Sequence, residues 1–127
     1  MKIATRDVEG VTILKLTGRL TLEEIHSIEA QTKELLANGR SLLVINMIDV
    51  RDLSSSGIAK ILAIKRTLES RGGMLVLSDL SPVCEHVLDL AGLTEAFVTC
   101  KNDAAAIALL QDQTKIEPVR APDEFLP

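Results

Sequence analysis

The stretch Asp52-Leu53-Ser54-Ser55-Ser56-Gly57-Ile58 separates two apolar patterns of different period. Before it, Leu42-Leu43-Val44-Ile45 is an unbroken apolar run, the pattern of a strand buried on both faces. After it, Ile58, Ile61, Leu62, Lys65 and Leu68 recur at helical spacing, which predicts a helix from about 56 to 70. A strand over 42–47 therefore turns into an amphipathic helix, and three serines sit at that helix's N-terminus. Backbone N–H groups lack partners there, and the helix dipole favours negative charge. A hydroxyl at such a position is available to chemistry, and a phosphate on it would be tolerated.

Working outward, residues 2–6 and 11–16 read as strands joined by a turn at Glu9-Gly10, with Gly18 breaking the second. Thr21 is a suitable N-cap, and Glu24 three residues on suggests a capping box. The helix that follows carries Leu22, Ile25, Ile28, Thr32, Leu35 and Leu36 on one stripe and stops at Gly39. Gly72-Gly73 ends the helix after the serines, and Met74-Leu75-Val76-Leu77 is a short buried strand. Ser81-Pro82 opens a third helix, with Glu85 completing its box and Val83, Val87, Leu88 and Ala91 facing inward. Phe97-Val98-Thr99 is a last strand, and Asn102 caps a final helix through Leu110.

The order β-β-α-β-α-β-α-β-α predicts an α/β fold. Its sheet is mixed and mostly parallel, with about five strands and four helices. The chain of 127 residues is long enough for one domain, read here as 1–112. The segment 113–127 holds Pro118, Pro122 and Pro127 with mixed charge and is expected to be a flexible tail, on which Phe125-Leu126 is a candidate docking element.

Composition narrows the function classes. A net charge of −4 with no dense basic patch argues against nucleic acid. No apolar run approaches the ~20 residues of a membrane span, and Met1-Lys2-Ile3-Ala4 begins a strand pattern, so the expectation is a cytoplasmic protein without direct membrane insertion. Cys84 and Cys100 stand alone and read as free buried thiols. His26 and His86 make no ligand cluster and read as helix-surface residues; neither a metal nor a cofactor is expected.

Serines at a helix start are most often caps and turn residues, and that accounts for them without chemistry. A serine hydrolase would need a Gly-x-Ser-x-Gly elbow, and glycine stands on only one side of these serines. Gly72-Gly73 follows a helix and precedes a strand, the reverse of a phosphate loop. Asp52 is the one carboxylate placed by its position to interact with the serine turn.

Ser55-Ser56-Gly57-Ile58 at the strand-to-helix turn, together with the Ser81-Pro82…Gly92-Leu93 helix, resembles the STAS domain, the family of bacterial anti-sigma factor antagonists and related modules. The resemblance spans about residues 3 to 110. It implies a binding module, not an enzyme. The partner would be an anti-sigma factor that is also a serine kinase of the GHKL ATPase class, opposed by a serine phosphatase. The family's Asp-Ser-Ser-Gly motif puts the phosphoacceptor on Ser55, with Ser56 and Gly57 following. Ser54 stands where the family has its acid, Asp52 where it has an apolar residue, and Asn46 where a strand-end acid is common. Asp52, Ser54, Ser56, Gly57 and Lys60 are the expected partner-binding residues. The resemblance also admits a second role, a STAS subunit or regulator of a membrane transporter such as a lipid-transport ABC system, docking without phosphorylation. Oligomeric state is left open.

Overall fold

The computed structural model of the chain describes residues 2–119. The first strand, β1 (Lys2–Val8), turns through Glu9 and Gly10 into β2 (Val11–Leu20), and both turn residues have positive φ. That is the backbone of a two-residue hairpin turn matched to strand twist. Helix α1 (Leu22–Ala37), strand β3 (Leu42–Leu53), helix α2 (Ser55–Ser70), strand β4 (Met74–Ser78), helix α3 (Pro82–Leu90), a 3-10 turn (Thr94–Ala96), strand β5 (Val98–Cys100) and helix α4 (Asp103–Val119) follow. The five strands lie in the order β1-β2-β3-β4-β5; β1 is antiparallel to β2 and the other pairs are parallel. This is the mixed, mostly parallel sheet with four helices that the element order predicts.

The core has two layers. On one face, Leu14, Leu16, Leu43, Ile45, Met47 and Leu75 pack with Ile25 and Ile28 of α1, Ile58, Ile61, Ile64 and Leu68 of α2, and Cys84 and Leu88 of α3. On the other face, Val11, Ile13, Val44 and Val76 meet Ala106 and Leu110 of α4. The two faces explain why β3 opens with a continuous apolar run: both sides of it are covered.

Several elements differ from expectation. Strand β3 does not stop at 47 but continues to Leu53. Its pairing with β2 steps from Lys15↔Asn46 to Thr17↔Asp49, and from Gly18↔Val50 to Arg19↔Asp52. Each step leaves an extra residue on β3, a β-bulge. The bulges turn the alternation into a period of three, with Met47, Val50 and Leu53 buried and Ile48, Asp49, Arg51 and Asp52 exposed. Gly18 does not end β2; it sits at the second bulge with φ 119°, a conformation glycine tolerates at no steric cost.

Caps differ too. Thr21 has extended backbone before α1 but its hydroxyl makes no capping bond, so the expected box does not form there. At α3 the Ser81 hydroxyl accepts from the Cys84 N–H, 3.3 Å, and donates to the Val50 carbonyl, 2.8 Å; Glu85 lies one residue beyond the box position and is exposed. Ala91 is exposed, not inward-facing, and Cys84 takes its place in the core. Phe97 is buried just ahead of β5. Asn102 caps α4 as expected, accepting from Ala105 N–H at 2.8 Å. That helix runs past Leu110 to Val119, because no glycine or proline interrupts 103–117. The backbone of 113–119 is therefore helical where a loose tail was expected, and 120–127, with Phe125-Leu126, lies outside the described residues.

Candidate functional site

The three serines divide the work of the turn. Ser54, half-buried, is the N-cap of α2, with extended backbone at φ −83° and ψ 160°. Its Oγ accepts from the Gly57 N–H at 3.0 Å and donates to the Leu20 carbonyl at 3.5 Å, while its own N–H reaches the same carbonyl at 3.3 Å. The end of β2 and the start of α2 are thus fastened together at one residue. Ser55 and Ser56 are the first two residues of the helix, and both are exposed. Among the described residues, neither hydroxyl is engaged in a hydrogen bond.

Gly57 is buried in the first turn. A Cβ there would stand 2.6 Å from the Leu20 carbonyl oxygen, so the close approach of β2 to α2 requires glycine. Ile58 behind it is 2% exposed and anchors the helix in the core. No acidic residue occupies the first turn of α2. The exposed hydroxyls of Ser55 and Ser56 therefore sit at the positive end of the helix with no carboxylate offsetting it from within the turn.

The position before Ser55, acidic in the family that the motif resembles, is the N-cap. Serine and aspartate serve about equally well at an N-cap. Ser54 keeps the structural role of that position and removes one negative charge beside Ser55.

The remaining expected residues fall in different places. Asp52 is exposed on β3, in register with Arg19 of β2, so it belongs to the sheet and not to the turn proper. Lys60, on α2, is half-buried, and its Nζ lies 3.5 Å from Glu29 of α1; His26 Nδ1 is 3.2 Å from the same carboxylate. Lys60 therefore ties α2 to α1. Asn46 is 4% exposed, and its amide donates to Asp79, 3.0 Å, and Asp103, 2.8 Å, while Ser78 donates to Asp103 at 2.6 Å. The amide supplies two donors to carboxylates that an acid at 46 would confront with a third negative group. Sequence reasoning missed Leu20, whose contribution is a backbone carbonyl with no side-chain signal, and Glu29, which Lys60 meets across 31 positions.

Burial raises the Cys84 thiol above its usual range, and hydrogen bonds with Ser81 offset part of that rise. Burial also raises Cys100, at the end of β5. Among the described residues no three His, Cys, Asp or Glu side chains gather to hold a metal ion, and no helix is long and apolar enough to cross a membrane. His86 borders a cavity of about 530 Å³ between α3 and β5 whose lining includes none of the three serines.

A sequence model of the STAS domain matches residues 2–106, which takes in the whole sheet and the serine turn. The chain belongs to the STAS domain family. Among relatives of this STAS domain is the anti-sigma F factor antagonist of Paenibacillus polymyxa. It is 23% identical over 112 residues, covering 87% of this chain and 96% of that protein. An anti-sigma factor antagonist from Mycobacterium paratuberculosis superposes with a TM-score of 0.75 at 20% identity, over 87% of this chain and 93% of that one. SpoIIAA, a Bacillus cell fate determinant, superposes at 20% identity with TM-scores of 0.74 in its unphosphorylated form and 0.66 in its phosphorylated form. Those matches cover 87% and 85% of this STAS domain and 97% and 99% of the two SpoIIAA chains. At such identities the superpositions establish the shared fold.

Proposed function

We propose that this STAS domain is an anti-sigma factor antagonist, a regulatory binding module that engages a GHKL-class anti-sigma factor kinase and is switched by phosphorylation of Ser55. The reading rests first on the separation of roles at the turn: Ser54 caps the helix, so the exposed Ser55 hydroxyl is left without a structural task. The names of its relatives point the same way.

The physical logic is a charge switch. A phosphate adds about −1.5 to −2 charges at neutral pH. The N-terminus of α2 accommodates that charge within this protein. In an interface with a partner it is uncompensated, and a thousandfold loss of affinity requires only ~4 kcal/mol. One modification thus leaves the fold intact and releases the partner. A serine phosphatase restores binding. The exposed first turn of α2, with Ser56 beside Ser55, forms the contact surface, and the protein acts in the cytoplasm by binding and not by catalysis.

The test is incubation with the GHKL kinase encoded nearest to this chain and ATP, read by intact mass with Ser55→Ala as control. A single phosphate that is lost in the variant supports the reading. A stable complex without phosphate leaves a docking module regulated otherwise, and the absence of both overturns the proposal.

A further inference from the structure

Beside the serine turn lies a cavity of about 390 Å³ lined by Lys2, Thr17, Gly18, Arg19, Glu24 and Arg51. Three of these six residues are cationic and exposed. The described residues place Lys2, Arg19 and Arg51 in no ion pair and no side-chain hydrogen bond, whereas Arg6, Lys15, Arg40, Lys60 and Lys65 each have a carboxylate partner. Lys33, Arg66, Arg71 and Lys101 are also without an ion pair among the described residues, but Lys2, Arg19 and Arg51 are brought together in the lining of one cavity, in a chain whose net charge is −4.

The backbone is shaped to present them. The pairing steps from Gly18↔Val50 to Arg19↔Asp52, so Arg51 is the extra residue of a bulge and Arg19 is the first residue paired after it. Bulges re-aim side chains and are frequent next to functional sites. The position is also continuous with the serine turn. Arg19 precedes Leu20, whose carbonyl receives the Ser54 N–H, and Arg51 lies three residues before Ser54.

We infer that Lys2, Arg19 and Arg51 form an acid-recognising pocket that receives a carboxylate-rich segment of the protein docking on the serine turn. A compact phosphate is a poorer fit. Phosphate sites commonly converge backbone N–H groups at a helix N-terminus, whereas the cations of this lining stand on strands, three of them against the single carboxylate of Glu24. Cations on long stems from three adjacent strands match several carboxylates spread along a peptide. Such a pocket fixes the orientation of an acidic partner that the chain's overall charge would otherwise repel. Only the identity of the protein carrying that segment rests on the function proposed above; the pocket itself does not.

The experiment is titration of the full-length, 15N-labelled chain with hexaglutamate at low salt, followed by amide shifts, in wild type and in Arg19→Glu/Arg51→Glu. Inorganic phosphate serves as a second titrant. The expected result is shifts confined to residues 2, 17–19 and 51, and an affinity at least tenfold weaker in the double variant. Arg19→Gln/Arg51→Gln keeps the test valid if charge reversal unfolds the chain, and it is expected to weaken binding as well. Shifts that are absent, scattered over the molecule or retained in both variants overturn the pocket. So does phosphate moving these amides while hexaglutamate leaves them unmoved. The titration uses no kinase, so failure of Ser55 phosphorylation and failure of the pocket are read separately.

Discussion

Ser54 and Gly57 close the first turn of α2 on each other: the Ser54 hydroxyl accepts the Gly57 N–H at 3.0 Å, and the missing Gly57 side chain leaves room for the Leu20 carbonyl that Ser54 also binds. The exposed Ser55 is held between these two residues. Its position is therefore set by its neighbours, and changes at 54 and 57 separate the scaffold from the switch.

Removing the cap tests the first half. Ser54→Ala is expected to cost about 1 kcal/mol; Ser54→Asp keeps the capping acceptor but, as a carboxylate, cannot donate to the Leu20 carbonyl, and is expected to fall between Ser54→Ala and wild type. Urea unfolding followed by far-UV circular dichroism reads both, since the chain has no Trp or Tyr. Equal stability of Ser54→Ala and wild type would remove the capping role.

Gly57→Ala tests the second half. Its Cβ would meet a backbone oxygen at 2.6 Å, which a flexible side chain cannot relieve. The expected destabilisation is about 1–3 kcal/mol, the range for overpacking a tight site. A stability gain, as at an ordinary helical glycine, would show that the approach of β2 to α2 is loose.

The Asn46 amide joins β3 to Asp79 and to Asp103 at the start of α4. Asn46→Ala withdraws two donors from carboxylates at the edge of the core and is expected to cost on the order of 1–3 kcal/mol. Hydrogen exchange should show the first turn of α4 opening more readily in the variant. An unchanged protection pattern there would contradict the clasp.

Burial raises the Cys84 thiol above its ordinary value of 9.0, so the native chain holds that proton more tightly than the unfolded chain. The resulting stability is fully present below the unfolded value and is lost as pH rises through the raised one. Unfolding free energy is expected to fall more steeply above about pH 9 in wild type than in Cys84→Ala. Parallel curves would mean the thiol does not contribute.

The local signals carried much of this structure. The apolar run 42–45, the helical spacing from Ile58 and the Ser81-Pro82 start each report contacts along one element, so they are legible in sequence. Strand β3 beyond residue 47 is not, because two bulges convert its alternation into the spacing Met47, Val50, Leu53, which matches neither a strand nor a helix. That misplacement moved Asp52 into the turn, whereas it lies in register with Arg19 in the sheet. The serine motif marked a helix N-terminus, but that the capping serine also binds the Leu20 carbonyl, 34 residues away, left no trace in it. The ion pair of Lys60 with Glu29 was not legible, because that partner lies on another helix. Long-range pairing leaves no periodic trace, whereas the missing cap at Thr21 and the extension of α4 past Leu110 are local departures.

The most direct test of the switch is the affinity of the GHKL kinase for this chain before and after phosphorylation of Ser55, measured by titration calorimetry on the two purified forms. The account predicts a loss of a hundredfold or more on phosphorylation, reproduced in direction by Ser55→Asp, with both forms retaining the wild-type circular dichroism spectrum. Equal affinities for the two folded forms would contradict it.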